Sequence, residues 1–414
     1  MSKMTPQIRF QGFTDDWEER KLKELGDIQT GNTPPTSDSD NYSLDGVLWV
    51  TPTDIKSLVI SNTAKKLSQV GVTKARIAKA GSILVTSIAS IGKNTLLRMD
   101  AGFNQQINSL TPTSENDSYF LLTQSEKWSE KMKQTAASAT MQIVNKTEFS
   151  NISTYVPVHK EEQEKIGSFF KQLDDTIALH QRKLDLLKEQ KKGYLQKIFP
   201  KNGAKVPELR FAGFADDWEE RKLSGIIEKL SGGASIKPTD YLEDGIRTIP
   251  KGAVNATGIA DLSGSKYISE DFFEKNITSH AHTSNLVTSL RDLVPSAPNM
   301  GRIVRIEGDD EQFLMPQGVY KLELFEGMDE DFLISFSNSD KYRKIISAEK
   351  NGSTQVHIRN GEFLNIDINL PSEHEQKKIG SFFKQLDNSI ALHQRKLDLL
   401  KEQKKGFLQK MFVS

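Results

Sequence analysis

The feature that most constrains this 414-residue chain is an internal repeat. The segment PQIRFQGFTDDWEERKL, from Pro6 to Leu22, returns as PELRFAGFADDWEERKL from Pro207 to Leu223, with 13 of 17 positions identical. The segment from Lys165 to Phe199 returns from Lys378 to Phe412, with 31 of 35 positions identical. An offset of 201 residues (207 − 6) is too long for solenoids and propellers, whose units have ~20 to 50 residues. We therefore expect two copies of one module, with matching ends and divergent interiors.

The matched segment that follows each interior has the pattern of a long helix. Its seam residues recur at alternating steps of four and three, which is typical of a coiled coil. An apolar stripe of this length needs a partner, and a two-fold relation between the copies pairs the helices antiparallel. The alternative, in which each helix folds back on its own domain, fits so long a heptad pattern less well. The predicted seam comprises Ile166, Phe170, Leu173, Ile177, His180, Leu184 and Leu187 in the first copy, and Ile379, Phe383, Leu386, Ile390, His393, Leu397 and Leu400 in the second.

His180 and His393 occupy matching seam positions. We interpret them as polar residues that fix the register of the helices, rather than as metal ligands.

The two interiors are predicted to be mixed α/β domains. Short β-rich runs bounded by turn residues, such as Val47–Val50 and Phe363–Pro371, indicate strands, whereas 117–135 indicates a helix. Weak matches between the interiors predict a shared fold: Tyr42, Asp45 and Gly46 with Tyr241, Asp244 and Gly245; Gln106 with Gln317; and Phe149, Asn151, Ile152 and Pro157 with Phe363, Asn365, Ile366 and Pro371.

The predicted fold class is therefore α/β (α+β), with two globular domains, two long helices in an antiparallel coiled coil, and a pseudo-two-fold internal repeat. The predicted boundaries are 1–160 for the first domain, 161–201 for the first long helix, 202–374 for the second domain and 375–414 for the second long helix.

The amino-acid composition excludes several kinds of site and of protein. The absence of cysteine excludes disulfides, thiolate metal sites and thiol nucleophiles. No apolar run approaches the ~18 residues of a membrane span, so we expect a cytoplasmic protein without a membrane partner. The 55 basic and 55 acidic residues cancel, which argues against a generally basic surface but not against local patches.

Motifs for catalysis are incomplete. The metalloprotease pattern HExxH fails because the sequence from His374 reads HEQKK. A phosphate loop fails because Lys93 is followed by Asn94, and Ser87 stands where the first glycine is needed. Asn32–Thr36, NTPPT, does not have the Asn/Asp-Pro-Pro-aromatic pattern of an amino-methyltransferase. We therefore expect a binding protein with no catalytic residue, metal or cofactor of its own.

Two divergent interiors, each preceded by RF-x-GF-x-DDWEERKL and followed by EQ-x-KIGSFF and a long helix, resemble the specificity (S) subunit of a type I restriction-modification system over almost the whole chain. Gly31–Pro34, Trp49–Val50, Asn104–Asn108 and Glu162–Gln163 carry further marks of that family, and Glu375–Gln376 repeats the last of them. The second interior departs from the pattern, with Ser231–Gly233 in place of Gly-Asn-Thr-Pro and Thr248 in place of Trp49.

The resemblance implies that each globular domain is a target-recognition domain for one half of a bipartite site in double-stranded DNA. The helix pair would set the gap between the halves and dock two methyltransferase (M) subunits, which use S-adenosylmethionine. Endonuclease (R) subunits, which use ATP and Mg, would complete the complex. A helix pair about 50 Å long bridges roughly one and a half turns of B-DNA, which suits this role.

Candidate DNA contacts follow from residue type, since Arg grips guanine and Asn grips adenine through two hydrogen bonds. Residues 26–160 carry a net charge of +2 (13 − 11), and 225–374 carry −8 (15 − 23), so cations in the second domain must be focused on one face. Replacing Arg302 and Arg305 by Ala is expected to weaken DNA binding without dissociating the subunits. The candidates are Lys74, Arg76, Lys79, Lys93, Asn94 and Arg98 in the first domain, and Lys251, Arg291, Asn299, Arg302, Arg305, His357 and Arg359 in the second.

Two other classes of function compete with DNA recognition. One is a non-enzymatic coiled-coil scaffold that binds protein partners without DNA. The other is a fused enzyme that both recognises and modifies its target, which the incomplete catalytic motifs disfavour.

Overall fold

A computed structural model describes residues 4–137, 143–201, 204–353 and 355–413 of the chain. They form two compact units. Unit 1 comprises Met1–His180 and Lys396–Ser414, and unit 2 comprises Gln181–Arg395. The boundary falls inside both long helices, so that each unit combines one globular domain with parts of both helices. The contacts therefore group the chain differently from the four consecutive segments that the sequence indicates.

Unit 1 is a mixed α/β unit. Its helices are α1 (Leu22–Leu25), α2 (Gln69–Lys74), α3 (Ser118–Ala137), α4 (Lys146–Ser150) and the first part of α5 (Lys160–Lys197). Its strands are β1 (Glu18–Lys21), β2 (Gly26–Thr30), β3 (Tyr42–Ser43), β4 (Val47–Val50), β5 (Val59–Ile60), β6 (Lys65–Leu67), β7 (Ile77–Ala78), β8 (Ile83–Thr86), β9 (Asn94–Leu97), β10 (Ala101–Phe103), β11 (Ile107–Pro112) and β12 (Ser153–Val156).

Two five-stranded sheets organise unit 1, in the orders β2-β11-β8-β9-β5 and β3-β6-β4-β10-β7, and β1 pairs with β12. Strand β8 shows how they pack, because successive side chains of a strand point to opposite faces. Ile83 and Val85 belong to the core that contains Trp128 of α3, whereas Leu84 belongs to a second core shared with the other sheet. A helix therefore covers one face of the first sheet, and the second sheet covers the other face.

Unit 2 repeats this plan. Its helices are the second part of α5, α6 (Glu270–Lys275), α7 (Glu330–Ser337), α8 (Asp340–Glu349), α9 (Asn360–Leu364) and most of α10 (Glu373–Lys410). Its strands are β13 (Glu219–Lys222), β14 (Ile227–Gly232), β15 (Ile246–Thr248), β16 (Tyr267–Ile268), β17 (His280–His282), β18 (Leu286–Ser289), β19 (Arg291–Asp292), β20 (Ile303–Arg305), β21 (Gln312–Leu314), β22 (Val319–Leu324), β23 (Val356–His357) and β24 (Asp367–Leu370).

The sheets of the two units correspond. Unit 2 has the orders β14-β22-β18-β20 and β16-β15-β21-β17, with β13 paired to β24 and β19 paired to β23. Each second sheet contains one parallel pair, β4 with β10 and β15 with β21. Gly46 and Gly245 occupy equivalent turns at positive φ, where a Cβ atom would meet the carbonyl oxygen of the neighbouring strand at 2.1 and 2.4 Å. The shared fold predicted from the weak matches is confirmed.

The weak match between Gln106 and Gln317 is wrong by one residue. Ile107 accepts a hydrogen bond from the backbone of Gly31, and Val319 accepts the same bond from Gly233, each at 3.0 Å. Ile107 and Val319 are therefore equivalent, and counting back two residues pairs Gln317 with Gln105. Two adjacent glutamines in unit 1 made the sequence match ambiguous.

The long helices run antiparallel in each unit. In unit 1 the rings of Phe169 and Phe407 lie 5.0 Å apart, and Asp174 forms an ion pair with Lys404 at 2.6 Å. In unit 2 the rings of Tyr194 and Phe382 lie 5.1 Å apart. Every residue of the predicted seam is buried or half-buried, as expected for helices that pack along this stripe.

Each unit also takes hydrophobic side chains from the helix of the other repeat. Met411 and Phe412 lie in the core of unit 1, where the Phe412 ring contacts Trp17 at 6.0 Å. Ile198 and Phe199 lie in the core of unit 2, where the Phe199 ring contacts Trp218 at 6.2 Å. Burial of one such side chain contributes about 1.5 to 3 kcal/mol, so these helix ends are part of the core of the unit they enter.

The repeated motifs form the same contacts in both units. Arg9 donates two hydrogen bonds to the buried carboxylate of Glu162, at 2.6 and 2.8 Å, and Arg210 donates two to Glu375, each at 2.8 Å. The next residue, Gln163, accepts a hydrogen bond from the backbone N–H of Asp117. We call Glu162–Gln163 and Glu375–Gln376 the EQ motif. Its contacts attach the start of each long helix to the domain that precedes it.

Among the described residues, none of the helices is sufficiently long and apolar to cross a membrane. Over the same part of the chain, His, Asp and Glu side chains do not assemble into a group of three that could hold a metal ion.

Candidate nucleic-acid interface

A cleft in unit 2 is built around the short strand pair β19 and β23. Arg291 lies directly opposite His357 in this antiparallel pair. The Ser289 hydroxyl donates to the carbonyl oxygen of Arg291 at 2.8 Å, and the Leu290 N–H donates to that of Gly318 at 3.1 Å. These bonds fix the chain where it leaves β18, and they hold Arg291 at the wall of the cleft.

The cleft has a volume of about 700 Å³. Apolar residues such as Met300 and Val319 form part of its lining. Two polar residues of the lining, Ser289 and Asp292, form hydrogen bonds with nearby backbone groups. Six other polar side chains of the lining share one property: they make no hydrogen bond or ion pair with another residue in the part of the chain that the structure describes. They are Lys251, Arg291, Asn299, Gln317, Gln355 and His357. Unused donors and acceptors that converge on a partly apolar cleft are typical of a binding site.

Four of these residues, Lys251, Arg291, Asn299 and His357, are candidates from the sequence, and the structure brings them together. Gln317 and Gln355 were missed because glutamine is common on ordinary surfaces. Gln317 carried a usable signal, since it is one of the few interior residues that have a counterpart in the first repeat.

The structure does not support Arg305 as a DNA contact. Its guanidinium forms ion pairs with Asp331 at 2.6 Å and Glu330 at 2.8 Å, and its side chain is 15% exposed. Although burial opposes the charge, the bonds to these carboxylates raise the pKa of Arg305 above its ordinary value. A guanidinium held by two carboxylates has little capacity left for DNA.

Arg302 is also engaged within the protein. Its Nε donates to the carbonyl oxygen of Pro298 at 3.0 Å, and its Nη1 donates to the side chain of Asn338. Burial, together with the nearby charge of Arg343, lowers the pKa of Arg302 to about 10. Like Arg305, Arg302 therefore has partners within the protein that a DNA contact would have to replace. Arg359, by contrast, is highly exposed, lies outside the cleft and forms a 3.6 Å ion pair with Glu362.

In unit 1 the first three candidates have protein partners. Lys74 forms an ion pair with Asp38 at 3.1 Å, which lowers the pKa of that carboxyl, and Lys79 forms one with Asp100 at 2.9 Å. The Arg76 guanidinium donates to the carbonyl oxygen of Thr30. All three cations are exposed, and exposed ion pairs are weak. They therefore remain able to exchange these partners for phosphates.

The other three candidates of unit 1, Lys93, Asn94 and Arg98, differ in whether they have partners within the protein. Asn94 bonds the Ser129 hydroxyl of α3 at 2.9 Å, so it fastens a strand to a helix and is not placed to contact a base. Lys93 and Arg98 are exposed, and their side chains make no polar contact within the described ranges. Lys93 lines a shallow depression together with Lys133, a cation that the sequence did not single out.

The position equivalent to Arg291 in unit 1 is apolar. Thr86 lies opposite Ile107, and Ser289 lies opposite Val319, so that two residues further along Ile88 corresponds to Arg291. Ile88 pairs with Ile143 where Arg291 pairs with His357. The same backbone plan therefore presents different chemistry in the two units.

Comparisons with known proteins agree with this repeated plan. A family model described as the type I restriction modification DNA specificity domain matches residues 14–189 and again residues 215–402. The chain is 22% identical over 423 residues to the type I restriction enzyme MjaIX specificity subunit of Methanocaldococcus jannaschii, a match that covers 96% of this chain and 92% of that protein. It is 25% identical over 273 residues to the MjaVIII specificity subunit of the same organism, which covers 64% of this chain and 62% of that protein.

The fold is similar to that of a solved structure. The crystal structure of the type I restriction-modification system S subunit from M. genitalium has a TM-score of 0.68 to this chain and 15% sequence identity, and the match covers 99% of this chain and 100% of that one. The two matches to the family model together span most of the chain. The chain therefore belongs to the family of type I restriction-modification DNA specificity subunits and carries two copies of the family's domain.

Proposed function

We propose that this chain selects the DNA sequence on which a type I restriction-modification complex acts, and that it performs no catalytic step itself. Each unit reads one half of a bipartite site in double-stranded DNA. The observation that carries this proposal is the duplicated family match, in which near-identical flanking segments enclose different interiors. Two domains with the same fold and different surface residues suit a protein that must recognise two different short sequences.

Different surface chemistry in the two units supports two different half-sites. Unit 2 offers the cleft with Arg291, whereas unit 1 has Ile88 at the equivalent position and exposes Lys93 and Arg98 elsewhere. Base edges are distinguished by the donors, acceptors and apolar groups that face them. We therefore expect an asymmetric site rather than a palindrome.

The long helices are the proposed docking sites for two methyltransferase subunits. In unit 1, Leu179 and Leu399 are exposed, and each lies five residues from the Asp174–Lys404 ion pair along its helix. In unit 2, Leu186 and Leu392 have the same relation to the Lys191–Asp387 ion pair. Because each unit exposes the same pair of leucines, the same protein can bind each unit in the same way, which supports two methyltransferase copies.

The remaining partners and cofactors follow from the proposed complex. S-adenosylmethionine belongs to the methyltransferase subunits, and ATP with Mg²⁺ belongs to the endonuclease subunits that join them. The two 38-residue helices set the number of base pairs between the half-sites. This function is favoured over a scaffold without DNA because the family that the chain matches is defined by DNA specificity.

The test is to purify the chain with its methyltransferase subunits and to map the methylated adenines in treated DNA. A motif of two short, different halves with a fixed gap is the expected result. An assembled complex that methylates one continuous motif, or none, would contradict the proposal. Leu186→Ser with Leu392→Ser should reduce methyltransferase binding to unit 2, whereas Lys251→Ala, in the cleft of the same unit, should leave that binding unchanged.

A further inference from the structure

We propose that the cleft of unit 2 is the base-reading site of that unit, and that Arg291 recognises a guanine in its half-site. This inference rests on the proposed function and assigns its chemistry to one place and one residue. It is carried by the state of the arginines in unit 2, by the support under Arg291, and by the mixture of groups around it.

The first argument is that the other arginines of the acidic interior, 225–374, are either held by partners or lie outside the cleft. Arg247 forms an ion pair with Glu311, and Arg305 forms ion pairs with Asp331 and Glu330, while Arg302 and Arg343 donate to backbone carbonyl oxygens. Arg359 is exposed and forms a weak 3.6 Å ion pair with Glu362, but it does not line the cleft. Within the described ranges of this interior, Arg291 is the arginine whose guanidinium has no polar partner. In a domain of net charge −8 (15 − 23), a guanidinium left without a carboxylate is available for an external acceptor.

The second argument is that the Arg291 side chain is supported before any ligand binds. Its aliphatic stem lies against Gly318, where a Cβ atom would be 3.4 to 3.7 Å from three carbons of the arginine. Its backbone is held by Ser289 on one side and by the strand partner His357 on the other. A supported side chain loses less conformational entropy when it binds, which favours a defined contact over a loose one.

The third argument concerns the type of ligand. A phosphate site requires only cations, but this cleft combines Arg291 with the free amides of Asn299, Gln317 and Gln355. The guanidinium fork matches O6 and N7 of guanine, and an amide matches N6 and N7 of adenine. Exposed Leu293 and Val294 lie at the same cleft and offer apolar contacts of the kind that a thymine methyl accepts. The mixture fits base edges better than it fits the sugar-phosphate backbone.

The test uses the assembled methyltransferase complex with Arg291→Ala and, separately, Arg291→Lys. Lysine keeps the charge but lacks the planar fork, so both variants should lose discrimination at the same base pair by about 5- to 150-fold. That relaxed position should be a guanine within one half of the motif, while the other half and the gap stay unchanged. Arg221→Ala is the matched control, since it removes an exposed arginine of β13 that lies outside the cleft, and it should leave the motif as it is.

Three results would overturn the inference. The first is an unchanged motif in Arg291→Ala, and the second is an equal loss of methylation at all sites without a relaxed position. The third is relaxation at a base pair other than G·C. The second of these results would identify Arg291 as a phosphate contact. If Arg291→Ala fails to fold, Arg291→Lys decides the question, because the aliphatic carbons of the lysine side chain can keep the contact with Gly318. Failure of the proposed function is separate, because the unmodified complex would then show no bipartite motif.

Discussion

The Nζ atom of Lys191 lies 2.5 Å from Oδ1 of Asp387, and both side chains are largely buried, with 13% and 23% of their surfaces exposed. The equivalent residues of the other repeat, Lys404 and Asp174, are 2.6 Å apart in unit 1. Each lysine lies four residues after the last leucine of the predicted seam, at the next position of the heptad pattern, and binds a carboxylate of the facing helix. The ion pairs therefore give each helix pair a register as well as an attraction, as buried polar groups do in other coiled coils.

Loss of Lys191 is expected to destabilise unit 2. Burial raises the pKa of Asp387, whereas Lys191 opposes this effect, so Lys191→Ala leaves a poorly solvated carboxylate and should lower the free energy of unfolding by roughly 3 kcal/mol. Lys191→Met combined with Asp387→Leu should cost less, because no buried charge remains. Urea denaturation measures both, and Lys160→Ala, which removes an exposed ion pair with Glu164, is the control with little change expected.

Two glycines of α5 should respond to alanine with opposite signs. A Cβ atom on Gly167 would lie 2.2 Å from Oδ1 of Asp117, whereas one on Gly193 would have no neighbour within 4 Å. Gly167→Ala is therefore expected to destabilise unit 1 by about 1 to 3 kcal/mol. Gly193→Ala should stabilise its helix by about 0.5 to 1 kcal/mol. Thermal unfolding of both variants decides the matter, and a shift of the same sign in both would contradict the packing described here.

The stability of both units should depend on two capping carboxylates. Burial raises the pKa of Asp117 and of Asp329 above the ordinary 3.8, although hydrogen bonds from Phe120 N–H and Phe332 N–H oppose this rise. The folded state therefore holds their protons to higher pH than the unfolded state does. The resulting stabilisation is fully present below about pH 4 and is lost as the pH rises through the folded pKa values.

Asp117→Asn with Asp329→Asn removes this titration while Asn preserves the cap. Relative to the unmodified chain, the variant should gain stability as the pH increases from 4 to 7. Urea midpoints at several pH values in this range provide the measurement. Parallel curves for the two proteins would show that these carboxylates do not titrate as their burial predicts.

Arg305→Ala should affect stability rather than sequence recognition. Removing the guanidinium takes a partner from Glu330, which is about half exposed, and from Asp331, which keeps its ion pair with Lys384 at 3.1 Å. The expected cost in the free energy of unfolding is therefore about 1 to 3 kcal/mol, less than for a buried carboxylate left without any partner. At a temperature where the variant remains folded, its methylated motif should be unchanged. A relaxed motif under those conditions would restore Arg305 as a DNA contact.

The long helices could be predicted because their heptad seam is local in sequence and is written twice. The contacts of the EQ motif could not, since Arg9 and Glu162 are 153 residues apart and nothing local indicates that they meet. The repeat shows only that both residues occur in each copy. The structure adds that they are partners and that the motif is a fastening between domain and helix.

The sequence predicted which types of residue would contact DNA, but it could not predict which individual residues are available to do so. Arg291 and Arg305 are alike in sequence, yet Arg305 is held by carboxylates of α7 about 25 residues away, whereas the Arg291 guanidinium has no polar partner among the residues that the structure describes. The net charge of −8 (15 − 23) indicated only that the cations of the second interior must be focused on one face. The folded chain shows which of them are held by carboxylates. The same limit applies to Asn94, whose bond to α3 depends on how the helix packs.

The helix ends that complete the opposite repeat's core affect how the protein is made. Trp17 is translated 395 residues (412 − 17) before the Phe412 ring that packs on it. At about 5 to 20 residues per second, the first unit waits roughly 20 to 80 s with part of its hydrophobic interior uncovered. A nascent chain of this design is exposed to chaperones and proteases during that interval, so a stop codon shortly before Met411 would leave the earliest-made unit unfinished.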